Sequence, residues 1–532
     1  MMKHLHFIGI GGIGMSALAA MFRENGWRVT GSDRAADRPE NRRIFDALKL
    51  QGVTIFPQDG SYLSAGRPDA LVYSTAIEED NPDFAAGTGI ERLHRSQVLA
   101  MALSSLLPAE CRTVAVTGSC GKSTVTAHAA EALTNLGADP GCLNGALSKR
   151  FAGGRFAGNY RPGAGRFFVF EADESDRSLL NYGADYAVIL NLGTDHYDRD
   201  ELVRVFGAFL ANVRRGAVLG GEVFEALSER GLLPPSLPVR AVWSTPKRGA
   251  DDAVLEYRVA RLLESAWEGG RRLRVTSGND RPDEDRSGVN NFFNICGMRG
   301  ESRIERRVPL AAFTGDRRIE LPQPGEFMAF NALAVEVLLE TMGWPRSEAV
   351  GALERFDGVW RRNDFAGNTP AGTPVFDDYA HNPEKIRSCL RLMREFVTGK
   401  LFAVFQPHGY GPFGFMRDQL FLYLEDELRP GDRFFVLEPY YAGGTTSFKP
   451  SAEEVVADWR RRAKHPDCYQ TAASRDALRD YLVCAADADD LIVVMGARDN
   501  SLSDYAAGFA SGATALPPGR TRRRRHCQKS DG

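Results

Sequence analysis

Residues 114–124 read V-A-V-T-G-S-C-G-K-S-T, an apolar strand that runs into a glycine-punctuated turn ahead of a long helical stretch. The pattern predicts a phosphate cradle built from Gly118, Ser119, Cys120, Gly121, Lys122, Ser123 and Thr124. Glycines at 118 and 121 let the backbone turn its N–H groups toward an anion, Lys122 reaches terminal phosphates, and Ser123 can place a hydroxyl on a magnesium ion. ATP with Mg2+ is the ligand this chemistry implies. The spacing is unusual, because the common form G-x-x-x-x-G-K-[ST] needs glycine at position 116, where Val116 stands.

Further polar clusters close predicted strands. E171-A-D-E-S-D176 follows a strand directly, and N191-L-G-T-D-H-Y-D198 closes the next, bringing Asp195, His196 and Asp198 to the same edge. Acids in such runs are usually solvated loop residues, but beside a phosphate loop the hard oxygens of Glu171 suit magnesium. D377-D-Y-A-H-N-P383 and F405-Q-P-H-G-Y410 end two later strands, and together they form a plausible second wall of a cleft. Gly9, Gly11 and Gly14 spell G-x-G-x-x-G, which alone marks any dinucleotide fold and also arises in tight turns. What it supports is a helix N-terminus aimed at a diphosphate, and a sugar-nucleotide diphosphate satisfies the same electrostatics.

The elements that must position these groups are α/β throughout. His4 to Ile10 is a strand, Met15 to Glu24 a helix and Trp27 to Thr30 a second strand reaching Asp33, a Rossmann-like opening. A helix over Ser96 to Leu107 ends at Pro108. The phosphate loop opens a helix over Ser123 to Leu136, with strands at Phe167 to Glu171 and Ala187 to Leu190. Between Gly269 and Arg307 the chain is polar and reads as an exposed loop or insertion. Phe330 to Met342 is an apolar helix, and Trp344-Pro345 begins a third unit. There, strands at Pro374 to Phe376, Leu401 to Phe405, Arg433 to Leu437 and Leu491 to Met495 alternate with helices near Pro383 to Phe396 and Arg475 to Cys484. At 532 residues the chain exceeds one core, and a prior of roughly 100–200 residues per domain suggests about three.

A net charge of -3 gives no overall pull toward nucleic acid or membrane. Eight scattered cysteines without a C-x-x-C pair suit a reducing compartment, and no apolar run approaches a membrane span, so the cytoplasm is expected. The basic tail from Pro517 reads as a solvated end, and oligomeric state is left open.

Taken in order, G-I-G-G-I-G-M-S-A-L-A, G-S-D, T-G-S-C-G-K-S-T, E-A-D-E-S-D, N-L-G-T-D-H-Y-D, F-D-G-V-W-R-R, D-D-Y-A-H-N-P and F-Q-P-H-G-Y resemble the Mur ligases, from His4 to about Ala510. The resemblance is closest to members that add L-alanine to UDP-N-acetylmuramate. It implies an enzyme of peptidoglycan synthesis with a Rossmann-like UDP-sugar domain over 1–110 and a central P-loop ATP-binding domain over 111–343. A Rossmann-like amino-acid-binding domain over 344–515 and a basic tail over 516–532 would follow. In that family the substrate carboxylate attacks the γ-phosphate of ATP to give an acyl phosphate, and the amine of the amino acid then displaces phosphate. Residue by residue, the resemblance gives Lys122 the transferring phosphoryl group, and it gives Ser123, Glu171 and His196 the metals. Asn331 would lie on the adenine side, and Arg362 and Asp378 would engage the nucleotide. Gly11, Gly12, Ile13, Gly14, Met15 and Asp33 would face the UDP diphosphate, while His381, His408 and Arg417 would lie toward the amino acid.

Several positions depart from the alanine-adding pattern. T-H-G-K-T has become S-C-G-K-S, H-N-A-L-N has become F327-M-A-F-N331, and Q-P-H-R-Y-T-R has become Q-P-H-G-Y-G-P. Glycine cannot form the bidentate carboxylate clamp that arginine can, so Arg417 is the expected substitute. The same departures keep open a ligase for another amino acid or a preformed peptide, and a non-catalytic nucleotide-binding homologue. A nicotinamide-dependent oxidoreductase built on Gly9 to Asp33 is disfavoured by the complete phosphate loop.

Overall fold

The computed structural model describes residues 3–193, 198–246, 255–261, 292–299, 302–309, 326–397, 399–440 and 448–510. Three sheets organise them: an N-terminal Rossmann-like domain, a central α/β domain and a C-terminal Rossmann-like domain. The first two sheets belong to one compact unit, Met1–Arg362, and the third to another, Asn363–Gly532.

The first sheet has five parallel strands in the spatial order Thr54–Phe56, Arg28–Ser32, His4–Ile8, Ala70–Tyr73, Glu91–His94. His4–Ile8 is buried at every position, as a central strand covered on both faces must be. The chain leaves it in opposite directions, so its C-terminal end is the switch point where such sheets bind ligands. The helix Ile13–Glu24 follows and buries Met15, Leu18, Met21 and Phe22.

In the central sheet the phosphate-loop strand Arg112–Thr117 runs parallel between Ala184–Ile189 and Phe167–Glu171, with Val116 opposite Glu171. The helix Lys122–Asn135 leaves the loop. Its small residues let it sit inside the protein, buried from Ser123 to Leu133. Val125, Ala129 and Leu133 pack into one core with Leu333, Val337, Ala349 and Leu353. Residues 346–353 therefore pack with the central domain, and the second compact unit starts at Asn363. The stretch expected to be an exposed loop from 269 to 307 contains strands instead. Phe292–Arg299 and Ser302–Pro309 pair antiparallel, Phe292 opposite Pro309, and extend the central sheet through Leu255–Arg261. Ile304 and Val308 are β-branched residues of the kind strands favour, a signal that the polar composition around them obscured.

The third sheet has six strands, ordered Asp364–Asn368, Pro374–Asp378, Leu491–Gly496, Leu401–Gln406, Arg433–Val436, Tyr469–Thr471. All neighbours but the first pair are parallel. The helix Pro383–Phe396 begins where Asn382 accepts the Lys385 N–H, with Pro383 in the first turn. The basic tail lies outside the described residues.

Candidate active site

Gly118 and Gly121 adopt φ 126° and 88°, and a Cβ on Gly118 would lie 3.0 Å from the Leu190 nitrogen. Glycine is thus required by both conformation and space. Gly121 caps the helix Lys122–Asn135 with no side-chain hydrogen bond and no acid in the first turn, which leaves the first N–H groups available to an anion. The loop is clamped from the neighbouring strand end. Asn191 accepts the Cys120 N–H at 2.8 Å and donates to the Cys120 carbonyl at 3.0 Å, and Ser119 Oγ accepts the Gly193 N–H at 2.7 Å. Ser123 and Thr124 are buried in the first helical turn.

Lys122 Nζ donates to the Gly118 carbonyl at 2.8 Å and to the Glu174 carboxylate at 2.7 Å. Burial works against the ammonium, but the carboxylates of Glu174, Asp173 and Glu171 outweigh it and hold its pKa above the ordinary lysine value. Lys122 is therefore a cation at neutral pH. Glu171 turns one oxygen to the Gly145 N–H at 2.9 Å, and Gly145 has no room for a Cβ because both carboxylate oxygens would lie 2.6 Å from it.

At the first switch point, Gly11 N–H donates to Asp33 Oδ2 at 2.8 Å and Ala35 N–H to Asp33 Oδ1 at 2.8 Å. Burial still pushes the Asp33 pKa up. A Cβ on Gly11 would meet the Phe45 ring at 2.5 Å. Gly12 caps the helix that starts with Ile13, Gly14 and Met15, again without a side-chain bond. A cavity beside the first glycine turn has a lining that includes Gly14, Arg95, Asn144, Gly145, Glu171 and Asp173. Arg95 reaches Asp173 at 2.6 Å, while the Asn144 side-chain oxygen is buried with no partner among the described residues.

His196 lies outside the described residues. Asn331 is 1% exposed in the helix Glu326–Thr341, its amide nitrogen 3.9 Å from Met328 Sδ. Arg362 closes the first compact unit, its N–H bonded to the Val359 carbonyl. In the second unit Asp378 accepts the N–H groups of Asn363 at 2.7 Å and Ala380 at 2.8 Å. His381 Nδ1 bonds the Tyr379 carbonyl, and its ring stands edge-on to His408 at 5.2 Å. Burial, with Arg498 and Lys385 nearby, lowers the His408 pKa to about 4. Arg417 lies inside the helix Tyr410–Glu427, 46% exposed, 3.8 Å from Asp418.

Glu174 and Asn191 were not among the predicted site residues, although both stand in the strand-end clusters. A second glutamate three positions after Glu171 was the available signal for Glu174. Among the described residues no three His, Cys, Asp or Glu side chains converge as a closed metal cage. Magnesium needs few protein ligands when phosphates and water complete its shell, and the oxygens of Ser123, Glu171 and Glu174 are of the hard type it takes.

Fold and loop together define an α/β protein that holds a phosphate-type loop and a Rossmann-like glycine turn within one compact unit. Residues 4–105 match the Mur ligase family, catalytic domain, and residues 361–498 match the Mur ligase, glutamate ligase domain. UDP-N-acetylmuramate–L-alanine ligase of Mycobacterium marinum is 31% identical, covering 98% of this chain and 97% of the relative. The enzyme of the same name from Rhizobium meliloti is 29% identical, over 95% and 96%. The chain belongs to the Mur ligase family. Among solved structures, the Thermotoga maritima UDP-N-acetylmuramate-alanine ligase superposes with a TM-score of 0.64 at 24% identity, covering 95% of this chain and 98% of that one. A murein peptide ligase from Psychrobacter arcticus gives 0.59 at 21%, over 97% and 100%. These two likenesses concern the fold.

Proposed function

We propose that the protein is an ATP-dependent ligase that joins the carboxylate of UDP-N-acetylmuramate to the amine of L-alanine through an acyl phosphate, in cytoplasmic peptidoglycan synthesis. The observation that supports this reading is a cavity lined by Gly14 of the first glycine turn and by Glu171, which ends the strand next to the phosphate-loop strand. A sugar nucleotide held by Gly11 to Met15 would direct its carboxylate toward phosphates held by residues 118–124. Two anions must meet there, so fixed positive charge is the first requirement. Lys122 supplies it, kept protonated by Glu174. Bound magnesium would supply further neutralisation of the phosphates, held by Ser123 with Glu171 or Glu174, and by His196 at a second position. Arg362 and Asp378 would engage the nucleotide, and Asn331 would act from the adenine side. On this reading the functional divisions are 1–110, 111–343 and 344–515.

A larger acceptor, a preformed peptide, is the second reading. It is favoured by Gly409 and Gly411, which place no side chain in the two alternate positions after His408.

Mass spectrometry of the protein incubated with UDP-N-acetylmuramate, ATP, magnesium and separate acceptors tests both. L-alanine is expected to give the amide product, and Lys122→Ala is expected to lower turnover by about 100-fold or more. Product from the peptide alone would favour the second reading. No product from any acceptor would refute the ligase assignment.

A further inference from the structure

The acceptor in this reaction presents a free carboxylate, and Gly409 and Gly411 offer it no cation. Arg417 sits seven residues into the helix Tyr410–Glu427, 46% exposed and 3.8 Å from Asp418. The register of the third sheet directs attention to a different turn. Strand Leu401–Gln406 pairs in parallel with Leu491–Gly496, Gln406 opposite Gly496, so the turns at 407–409 and 497–500 leave the same edge side by side.

Arg498 stands in the second of these turns with φ 61°. A non-glycine residue in the left-handed region costs about 1 kcal/mol or more, and strain of this kind concentrates where a side chain must be aimed. The field of Arg498 reaches the His408 ring. Two carboxylates on this edge are already engaged. Asp499 pairs with Arg475 and accepts the Ser501 N–H, and Asp378 holds the N–H groups of Asn363 and Ala380. Arg498 is exposed and has no carboxylate partner among the described residues.

We propose that Arg498 binds the carboxylate of the acceptor, so that recognition of an anionic acceptor is carried by the turn after Leu491–Gly496 and not by the turn after Leu401–Gln406. A guanidinium fork can take a carboxylate through two parallel N–H bonds, a geometry an ammonium cannot reproduce. The inference rests on the ligase reading above and names the residue that would select its acceptor.

The test compares acceptors that differ only in charge: L-alanine against L-alaninamide, and a stem peptide against its C-terminal amide. Each is offered with ATP and UDP-N-acetylmuramate to the full-length protein and to Arg498→Gly and Arg498→Lys. Glycine suits φ 61°, so the first variant relieves backbone strain while it removes the charge. The wild type is expected to prefer the free acid by about tenfold or more in kcat/KM. Arg498→Gly should lose that preference through a raised acceptor KM, with the KM values for ATP and the UDP-sugar unchanged, and Arg498→Lys should retain part of it. The acid that reacts best identifies an amino acid or a peptide as the source of the carboxylate. If Arg498→Gly keeps the acid-over-amide preference while the wild type turns over, the inference is overturned and the ligase reading stands. If the wild type makes no amide from any acceptor, the ligase reading falls and takes the inference with it.

Discussion

Glu131 lies on the phosphate-loop helix, is 0% exposed, and joins two distant backbone segments. One oxygen accepts the Ser148 hydroxyl at 2.9 Å and the other the Asp357 N–H at 2.8 Å. Burial pushes its pKa from 4.5 to about 7 in spite of these bonds. A carboxyl whose pKa is raised by folding binds more protons in the folded chain than in the unfolded one between those two values. Its contribution to stability is therefore complete below about pH 4.5 and lost as the pH rises through about 7. At about 1.4 kcal/mol for each tenfold change in proton affinity, the full loss is about 3 kcal/mol, of which about 2–3 falls between pH 5 and pH 8. Glu131→Gln cannot ionise, yet it keeps both partners. Its carbonyl can accept the Asp357 N–H, and its amide can donate to the Ser148 oxygen once that hydroxyl rotates. Urea unfolding of the wild type and of Glu131→Gln at pH 5, 6, 7 and 8 measures the difference directly. The variant should gain on the wild type by about 2–3 kcal/mol across that range, most of it by pH 7. A difference that stays flat within about 0.5 kcal/mol would refute a neutral buried carboxyl at this position.

Other consequences are equally open to measurement. Glu174→Ala leaves a buried ammonium without its carboxylate and should destabilise the first compact unit by about 3 kcal/mol, seen as an earlier denaturation midpoint, with Glu174→Gln losing less. Gly11→Ala drives a Cβ into the Phe45 ring and toward Asp33 Oδ2, 2.9 Å away. It should cost about 1–3 kcal/mol in thermal unfolding and raise the KM for the UDP-sugar above that for ATP. An NMR titration of His408 should find a midpoint near 4, leaving its ring neutral throughout the range in which Glu131 titrates. A midpoint near the ordinary 6.5 would show that ring to be better solvated than the structure has it.

The elements that carry the site were legible because their signals are local. Phe167–Glu171 and Pro383–Phe396 have the limits that apolar runs and a prolyl helix start impose. The phosphate loop was readable for the same reason, its glycines, lysine and serine being set by one turn of backbone. Partnerships across the sheet are a different kind of information. Glu171 and Glu174 are indistinguishable as loop acids. Strand pairing and a short turn set Glu171 against Gly145 and Glu174 against Lys122, 52 residues away in sequence.

The acceptor side shows most clearly why this distinction limits sequence reasoning. A missing arginine invites a search a few residues along the chain, and that search finds Arg417. In a helix, however, seven residues beyond the first position amount to about two turns, or roughly 10 Å along the axis, so a side chain there has left the sheet edge. Neighbouring parallel strands lie only about 4.8 Å apart, so the turn after the adjacent strand is the nearer source of a replacement charge. Arg498 comes from that turn, ninety residues further along the chain than His408. In a parallel sheet, compensation for a lost strand-end residue should therefore be sought across the ladder before it is sought along the chain.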